Sequence, residues 1–127
     1  MTYSKLTLNL PHTQVAVYIG SAIYDVVFKQ LDCQSQRVFI ITQQSIYDLY
    51  GKSITTALEA YSKAVVTPIF IADGEQAKSI AYFEHCMDQI FEVGVERGDT
   101  IIGLGGGVVT DLAGFIASTC LRGLTLI

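Results

Sequence analysis

The sequence predicts an α/β fold: a mainly parallel sheet with helices on both faces and an N-terminal β-hairpin. Short apolar runs bounded by turn residues alternate with longer stretches whose apolar residues recur at helical spacing. The first two runs flank a proline turn, as in a hairpin, and from there strand and helix alternate to the end of the chain. That rhythm needs crossover connections, and crossovers make a sheet parallel. With 127 residues, 50% of them hydrophobic and 16% charged, the chain is one modest domain with ample material for a core.

The elements follow in order. In LTLNL, Leu6, Leu8 and Leu10 alternate with polar residues, and after Pro11 the run VAVYI supplies the hairpin mate. Ser21 is expected to cap a helix carrying Ile23, Val26, Val27 and Leu31 on one face. Val38 to Ile41 reads as a strand buried on both faces. Ser45 is expected to cap the next helix, which Gly51 can break between Tyr50 and a second stretch through Ile54, Leu58 and Tyr61. Val65 to Ile71 is a strand whose Pro68 argues for an edge or irregular position. Ala72 to Lys78 is a polar turn, and Ile80, Phe83, Met87, Ile90 and Phe91 form the apolar stripe of a helix ending near Gly94. Arg97, Gly98 and Asp99 turn the chain into the strand Thr100 to Leu104. Three glycines lead from it into a helix from about Val109 to Leu121, and the final TLI starts another strand.

Composition excludes several functions. The net charge is −4, and the eight basic residues are scattered from Lys5 to Arg122 without clusters, so the footprint of a nucleic-acid binder is missing. The three cysteines, Cys33, Cys86 and Cys120, form neither a disulfide framework nor a CxxC pair, which fits a reducing compartment. The N-terminus lacks the charged and apolar regions of a signal peptide, and no apolar run approaches the ~20 residues that cross a bilayer. A cytoplasmic protein without membrane or nucleic-acid partners is expected.

The chemistry concentrates in two stretches. In GLGGGVVTDLAGF, Gly103 to Phe115, an apolar strand runs through glycines into an apolar helix. In a parallel sheet such a junction offers free backbone N–H groups and the positive end of a helix dipole, which suits phosphate. Glycines there admit a pyrophosphate close to the backbone. Asp111 is expected in the first turn of the helix, favoured by the dipole. A glycine cluster after a strand is also an ordinary tight turn, and Gly114 may serve only helix–sheet packing. No Lys-Ser/Thr pair follows the glycines, which excludes a Walker loop. Thr110 stands where the third glycine of the dinucleotide fingerprint would be, so the usual Rossmann spacing fails as well.

The second stretch is DGEQAK, Asp73 to Lys78, directly after VVTPIFIA. It brings two carboxylates and an ammonium to the C-terminal end of a strand, the same rim as the glycines. Carboxylates bind ribose diols, and lysine meets phosphates. Asp-Gly is equally common turn chemistry, and Glu75 and Lys78 are equally read as solvated charges near a helix start.

DGEQAKS followed by LGGGVVTDLAGFIASTCLRG strongly resembles 3-dehydroquinate synthases, NAD-dependent and metal-dependent cyclases of the shikimate pathway, within the sugar-phosphate cyclase superfamily. The likeness is dense from Asp73 to Gly123 and extends before that only in layout. It implies a Rossmann-like N-terminal NAD-binding domain. Asp73, Gly74, Glu75, Gln76, Ala77 and Lys78 would form one cofactor segment. Gly106, Gly107, Val108, Val109, Thr110 and Asp111 would form the other, with backbone amides on the pyrophosphate and Asp111 facing the nicotinamide half. Arg122 would reach the substrate phosphate from the neighbouring subunit of a homodimer, where a planar guanidinium fork is well suited. The implied reaction is the cyclisation of 3-deoxy-D-arabino-heptulosonate 7-phosphate to 3-dehydroquinate with loss of phosphate, a step towards chorismate and the aromatic amino acids. A 2-deoxy-scyllo-inosose synthase-like cyclase and a non-catalytic NAD-binding remnant are the alternatives.

Three departures from the family pattern carry expectations. Thr110 replaces a glycine; if the position needs positive φ the loop is strained, and restoring glycine should tighten NAD binding. Gln43, after VFIIT, stands where the family has Asp or Asn near the adenine ribose, and an amide holds a hydroxyl more weakly than a carboxylate. Members of the family are much longer, and their divalent metal, Zn or Co, is held by a Glu and two His in a following domain. His12 and His85 match no such position, so no metal ligand is expected in residues 1–127, which read as an incomplete domain or fragment, inactive alone.

Overall fold

The computed structural model describes residues 2–30 and 36–127, so Leu31 and Cys33 lie outside the described residues. Two compact units are present, Met1–Leu31 and Asp32–Ile127.

The first unit is the expected hairpin followed by a short helix. β1 (Tyr3–Leu10) and β2 (Thr13–Gly20) pair antiparallel, from Tyr3 opposite Gly20 to Leu10 opposite Thr13. The helix α1 (Tyr24–Phe28) starts later than expected and is not capped by Ser21: Ile23 is its N-cap, without a side-chain hydrogen bond. The cause is packing at Gly20. Ile23 Cγ2 lies 2.8 Å from where a Cβ on Gly20 would stand, so the chain folds sharply back before helix can form. Ala22 makes that turn with a φ of 52°. Ile23 and Phe28 are the buried residues here.

The second unit is a parallel sheet flanked by helices. Its strands are β3 (Arg37–Thr42), β4 (Val65–Phe70), β5 (Thr100–Leu104) and β6 (Thr125–Leu126), in the order β4-β3-β5-β6. Pro68 therefore sits in an edge strand, as expected, where a missing N–H costs least. Phe39, Ile41, Ile69, Ile71 and Ile101 point to one face. There they pack with Cys86 and Ile90 of α3 (Ile80–Val93) and with Val109, Leu112, Ala113 and Ile116 of α4 (Gly107–Thr119). Strand alternation sends Val38, Ile40 and Phe70 to the other face. There Tyr47 of α2 (Gln44–Tyr61) meets Phe70 edge-on, with ring centroids 5.4 Å apart.

Three expectations about the helices are corrected. Gly51 does not break α2: it is buried inside one continuous helix because the Tyr47 ring occupies the space its Cβ would fill, 2.6 Å away. Gln43, not Ser45, is the N-cap of α2. In α3, Ile80 and Phe91 are exposed, and the inward line runs through Phe83, Cys86, Met87 and Ile90. α3 ends where expected, at Gly94 with a φ of 97°, and its start is capped by Ser79, whose Oγ accepts the Tyr82 N–H at 3.2 Å. Before β5, buried Asp99 accepts the N–H groups of Glu96 at 2.8 Å and Arg37 at 3.0 Å, tying that turn to the start of β3.

Candidate functional site

Because β3, β4 and β5 are parallel, the segments after them leave the same rim of the sheet. Side-chain bonds lock their ends together. Buried Thr42 donates its hydroxyl to the Leu104 carbonyl at 2.7 Å, joining the ends of β3 and β5. The Gln43 side-chain amide donates to the Ala72 carbonyl at 3.5 Å, which brings Gln43 beside the segment after β4.

The glycine junction is built in two layers. A Cβ on Gly105 would meet Val109 Cγ2 at 2.7 Å, and one on Gly103 would meet the Ala113 Cβ at 3.0 Å, so these two positions seat α4 against β5. Nothing lies within 4 Å of a Cβ on Gly106 or Gly107. No packing among the described residues demands glycine there; both glycines are exposed. Gly106 is the N-cap of α4 without any side-chain cap, so among the described residues the first N–H groups of the helix have no side-chain partner, and they have no intrahelical acceptor. That is an anion-binding end with room for a bulky anion. Val109 is fully buried and half-buried Val108 packs on the core, so their side chains hold the helix down.

Asp111 is not in the first turn. Helix begins at Gly107, two residues earlier than expected, after Gly105 turns the chain out of β5 with a φ of 157°. Asp111 thereby reaches sideways to Lys78, whose Nζ lies 2.9 Å from Asp111 Oδ2 and 3.5 Å from Glu75 Oε2. The hydrogen bond from Lys78 to Asp111, then the charges of Asp111 and Glu75, raise the lysine pKa above its ordinary value. This ion pair physically joins the two sequence stretches. Thr110 has helical backbone, and its hydroxyl donates to the Gly106 and Gly107 carbonyls at 3.3 Å each. The premise of a strained, positive-φ threonine is therefore incorrect.

The segment after β4 is held at its ends. Gly74 adopts a φ of 85°, where L side chains are disfavoured, and a short 3₁₀ turn, Glu75–Ala77, follows. Gln76 Nε2 donates to the Asp73 carbonyl at 3.0 Å, closing the turn. Ala77 is fully buried in the core and anchors the segment, leaving Asp73, Glu75, Gln76 and Lys78 in solvent. Arg122 is not with them. It follows α4, whose 13 residues span about 20 Å, so it stands at the other end of that helix, in left-handed backbone with a φ of 67°.

Sequence reasoning missed a pocket of about 410 Å³ beside the ion pair. Lys78 and Asp111 form its polar end, and Ile80, Phe83, Leu112 and Phe115 its apolar walls. Phe83 and Phe115 touch, with centroids 4.8 Å apart. The signal was present as an apolar residue, Phe115, on the exposed side of α4, but periodicity alone could not pair it with α3.

Among the described residues no group of His, Cys, Asp and Glu could hold a metal ion, and no helix is long and apolar enough to cross a membrane. His85 lies on the surface of α3 against Gln89, in line with its reading as a surface residue.

The family described as 3-dehydroquinate synthase N-terminal matches residues 68–127. The 3-dehydroquinate synthase of Streptococcus gordonii is 37% identical over 122 residues, covering 94% of this chain and 34% of that protein. That of Enterococcus faecalis is 38% identical over 122 residues, with the same shares. This chain thus spans about a third of the length of these relatives. Among solved structures, 2-deoxy-scyllo-inosose synthase complexed with carbaglucose-6-phosphate, NAD+ and Co2+ matches with a TM-score of 0.86 at 17% identity, over 97% of this chain and 34% of that one. That likeness is one of fold.

Proposed function

We propose that the chain belongs to the 3-dehydroquinate synthase family and is the NAD-binding part of a cytoplasmic enzyme that cyclises 3-deoxy-D-arabino-heptulosonate 7-phosphate to 3-dehydroquinate with loss of phosphate. The observation that carries the reading is the 2.9 Å contact of Lys78 with Asp111, beside an uncapped helix end whose glycines face open space. A dinucleotide fits this arrangement. Its pyrophosphate would take the N–H groups at Gly106, Gly107 and Val108. Glu75 would accept from a ribose hydroxyl, Gln43 would serve the adenine side and Asp111 the nicotinamide side. NAD+, when bound, supplies a reversible hydride acceptor. The chain's own residues bind and orient it.

Lys78 has the sharper role. Asp111 and Glu75 hold its ammonium on the rim, so an incoming phosphate would find a positioned cation. Zinc or cobalt does not fit any described residues here; the metal site and most acid–base groups belong to the further length that the relatives possess. Arg122 stands at the far end of α4 from Gly106; its contact with the substrate phosphate across a homodimer is what the family resemblance implies. The 2-deoxy-scyllo-inosose synthase reading rests on fold at 17% identity, whereas the dehydroquinate reading has relatives at 37–38%.

Calorimetric titration of NAD+ into the 127-residue protein tests the assignment. A charged hydrogen bond is worth about 1.5–3 kcal/mol, so Asp111→Ala or Glu75→Ala should weaken binding roughly ten- to a hundredfold. Unchanged affinity in both variants would remove the site.

A further inference from the structure

The pocket between α3 and α4 joins two unlike halves. One is apolar: Phe83 and Phe115 meet with ring centroids 4.8 Å apart, together with buried Leu112 and with Ile80. Ile80 is 73% exposed and Phe115 48%, so both leave most of their apolar reach to something outside the core. The other half is the ion pair, Lys78 Nζ 2.9 Å from Asp111 Oδ2. The start of α3 lies in the same wall, through Ser79 and Ile80, and the first N–H groups of that helix, at Ile80 and Ala81, have no intrahelical acceptor. Negative charge is favoured at that end. A volume of about 410 Å³, apolar walls and a few convergent polar groups are the marks of a small-molecule site.

We propose that this pocket binds a free aromatic α-amino acid in its zwitterionic form. The ligand carboxylate accepts from the Lys78 ammonium, the ligand ammonium donates to the Asp111 carboxylate, and the ring lies against Phe83 and Phe115. Charge complementarity selects the class. A ligand with one charge takes one ion of the pair and leaves the other without its partner, whereas a zwitterion gives each a new one. An α-amino acid carries its two charges on one carbon, matching protein charges that stand in direct contact, and a peptide end does not. Binding of the amino acid is independent of the cofactor reading. Because that reading also uses Lys78 and Asp111, the two ligands compete, and this consequence alone rests on it.

Heteronuclear NMR titration of L-phenylalanine into the 127-residue protein tests this. The amide signals of Lys78, Phe83, Asp111 and Phe115 should shift together and saturate, with a dissociation constant of about a millimolar or below. Phenylpropionate, which lacks the ammonium, phenethylamine, which lacks the carboxylate, and L-alanine, which lacks the ring, should each bind about tenfold more weakly or worse. Phe115→Ala should weaken phenylalanine binding about tenfold and leave NAD+ affinity as it is. Should that variant fail to fold, Ile80→Ala, at a more exposed position, serves in its place with a smaller loss. NAD+ and phenylalanine should lower each other's affinity by one common factor. No saturable shift, equal binding of the truncated ligands, or full affinity in both variants would each overturn the proposal. Simultaneous binding of phenylalanine and NAD+ without mutual effect would show that the amino acid does not sit on Lys78 and Asp111, and would overturn it as well. Phenylalanine binding where NAD+ fails to bind would remove the cofactor site and uphold the amino-acid site.

Discussion

The two segments that leave the C-terminal rim, after β4 and after β5, are built on opposite plans. From Asp73 to Lys78 the chain presents charge, and only Ala77 and the Ser79 cap fasten it to the core. From Gly105 to Gly107 it presents bare backbone, fastened by Val109 and Ala113 beneath. The charged segment can shift its side chains around a ligand; the glycine segment cannot move without moving α4. A dinucleotide site needs both, a rigid row of donors for the pyrophosphate and adjustable charges for the groups around it. The Lys78–Asp111 pair is where the two plans meet.

The sharpest way to break this contrast is to add one methyl group at each glycine. Gly105→Ala drives its Cβ into buried Val109, and overpacking of this kind should lower unfolding stability by about 1–3 kcal/mol in urea titrations. Gly106→Ala and Gly107→Ala enter open space and should stay within about 0.5 kcal/mol of wild type, yet weaken NAD+ binding. If all three lose stability alike, the outward layer of the junction is structural and the contrast fails.

A smaller effect is expected from the charged side. Lys78→Met removes an exposed ion pair and should leave the urea midpoint nearly unchanged while lowering NAD+ affinity about tenfold. Because the lysine pKa is raised in the folded protein, whatever the pair adds to stability is complete below the ordinary lysine value and disappears as pH rises through the raised one. Asp111→Asn should flatten that alkaline limb; an equal alkaline loss in wild type and variant would detach the pair from it.

The floor beneath both segments includes Cys86, whose burial pushes its thiol up to about 11. The unfolded chain ionises its thiols near 9, so between there and 11 the folded state holds the extra proton. Stability from this source is whole below pH 9 and falls as pH rises towards 11. Cys86→Ala should lessen the fall, and an unchanged profile would exclude the thiol as its cause. The smallest effect is at Thr110. Glycine there would loosen the first turns of α4 and remove two weak bonds to the Gly106 and Gly107 carbonyls. Thr110→Gly should therefore cost a few tenths of a kcal/mol and bind NAD+ no more tightly, the reverse of what a strained loop predicts; tighter binding would restore strain as the explanation.

What the sequence by itself determined is whatever acts over a few residues. The alternation of apolar strands and helical stripes placed every strand of the sheet and both rim segments. Pro68 pointed to an edge strand and Gly94 to a helix end, because each works through its own backbone geometry. Tertiary structure decided the rest. The Tyr47 ring that covers Gly51 is met by Phe70 of β4, and Phe91 faces water because α3 is rotated to bury Cys86. Lys78 meets Asp111, and Arg122 ends far from both, for the same reason: the direction and seating of α4 are set by Gly103 and Gly105 against Ala113 and Val109. Spacing along the chain carries which residue types stand near a strand end; only packing of helix on sheet sets which of them come within reach of one another.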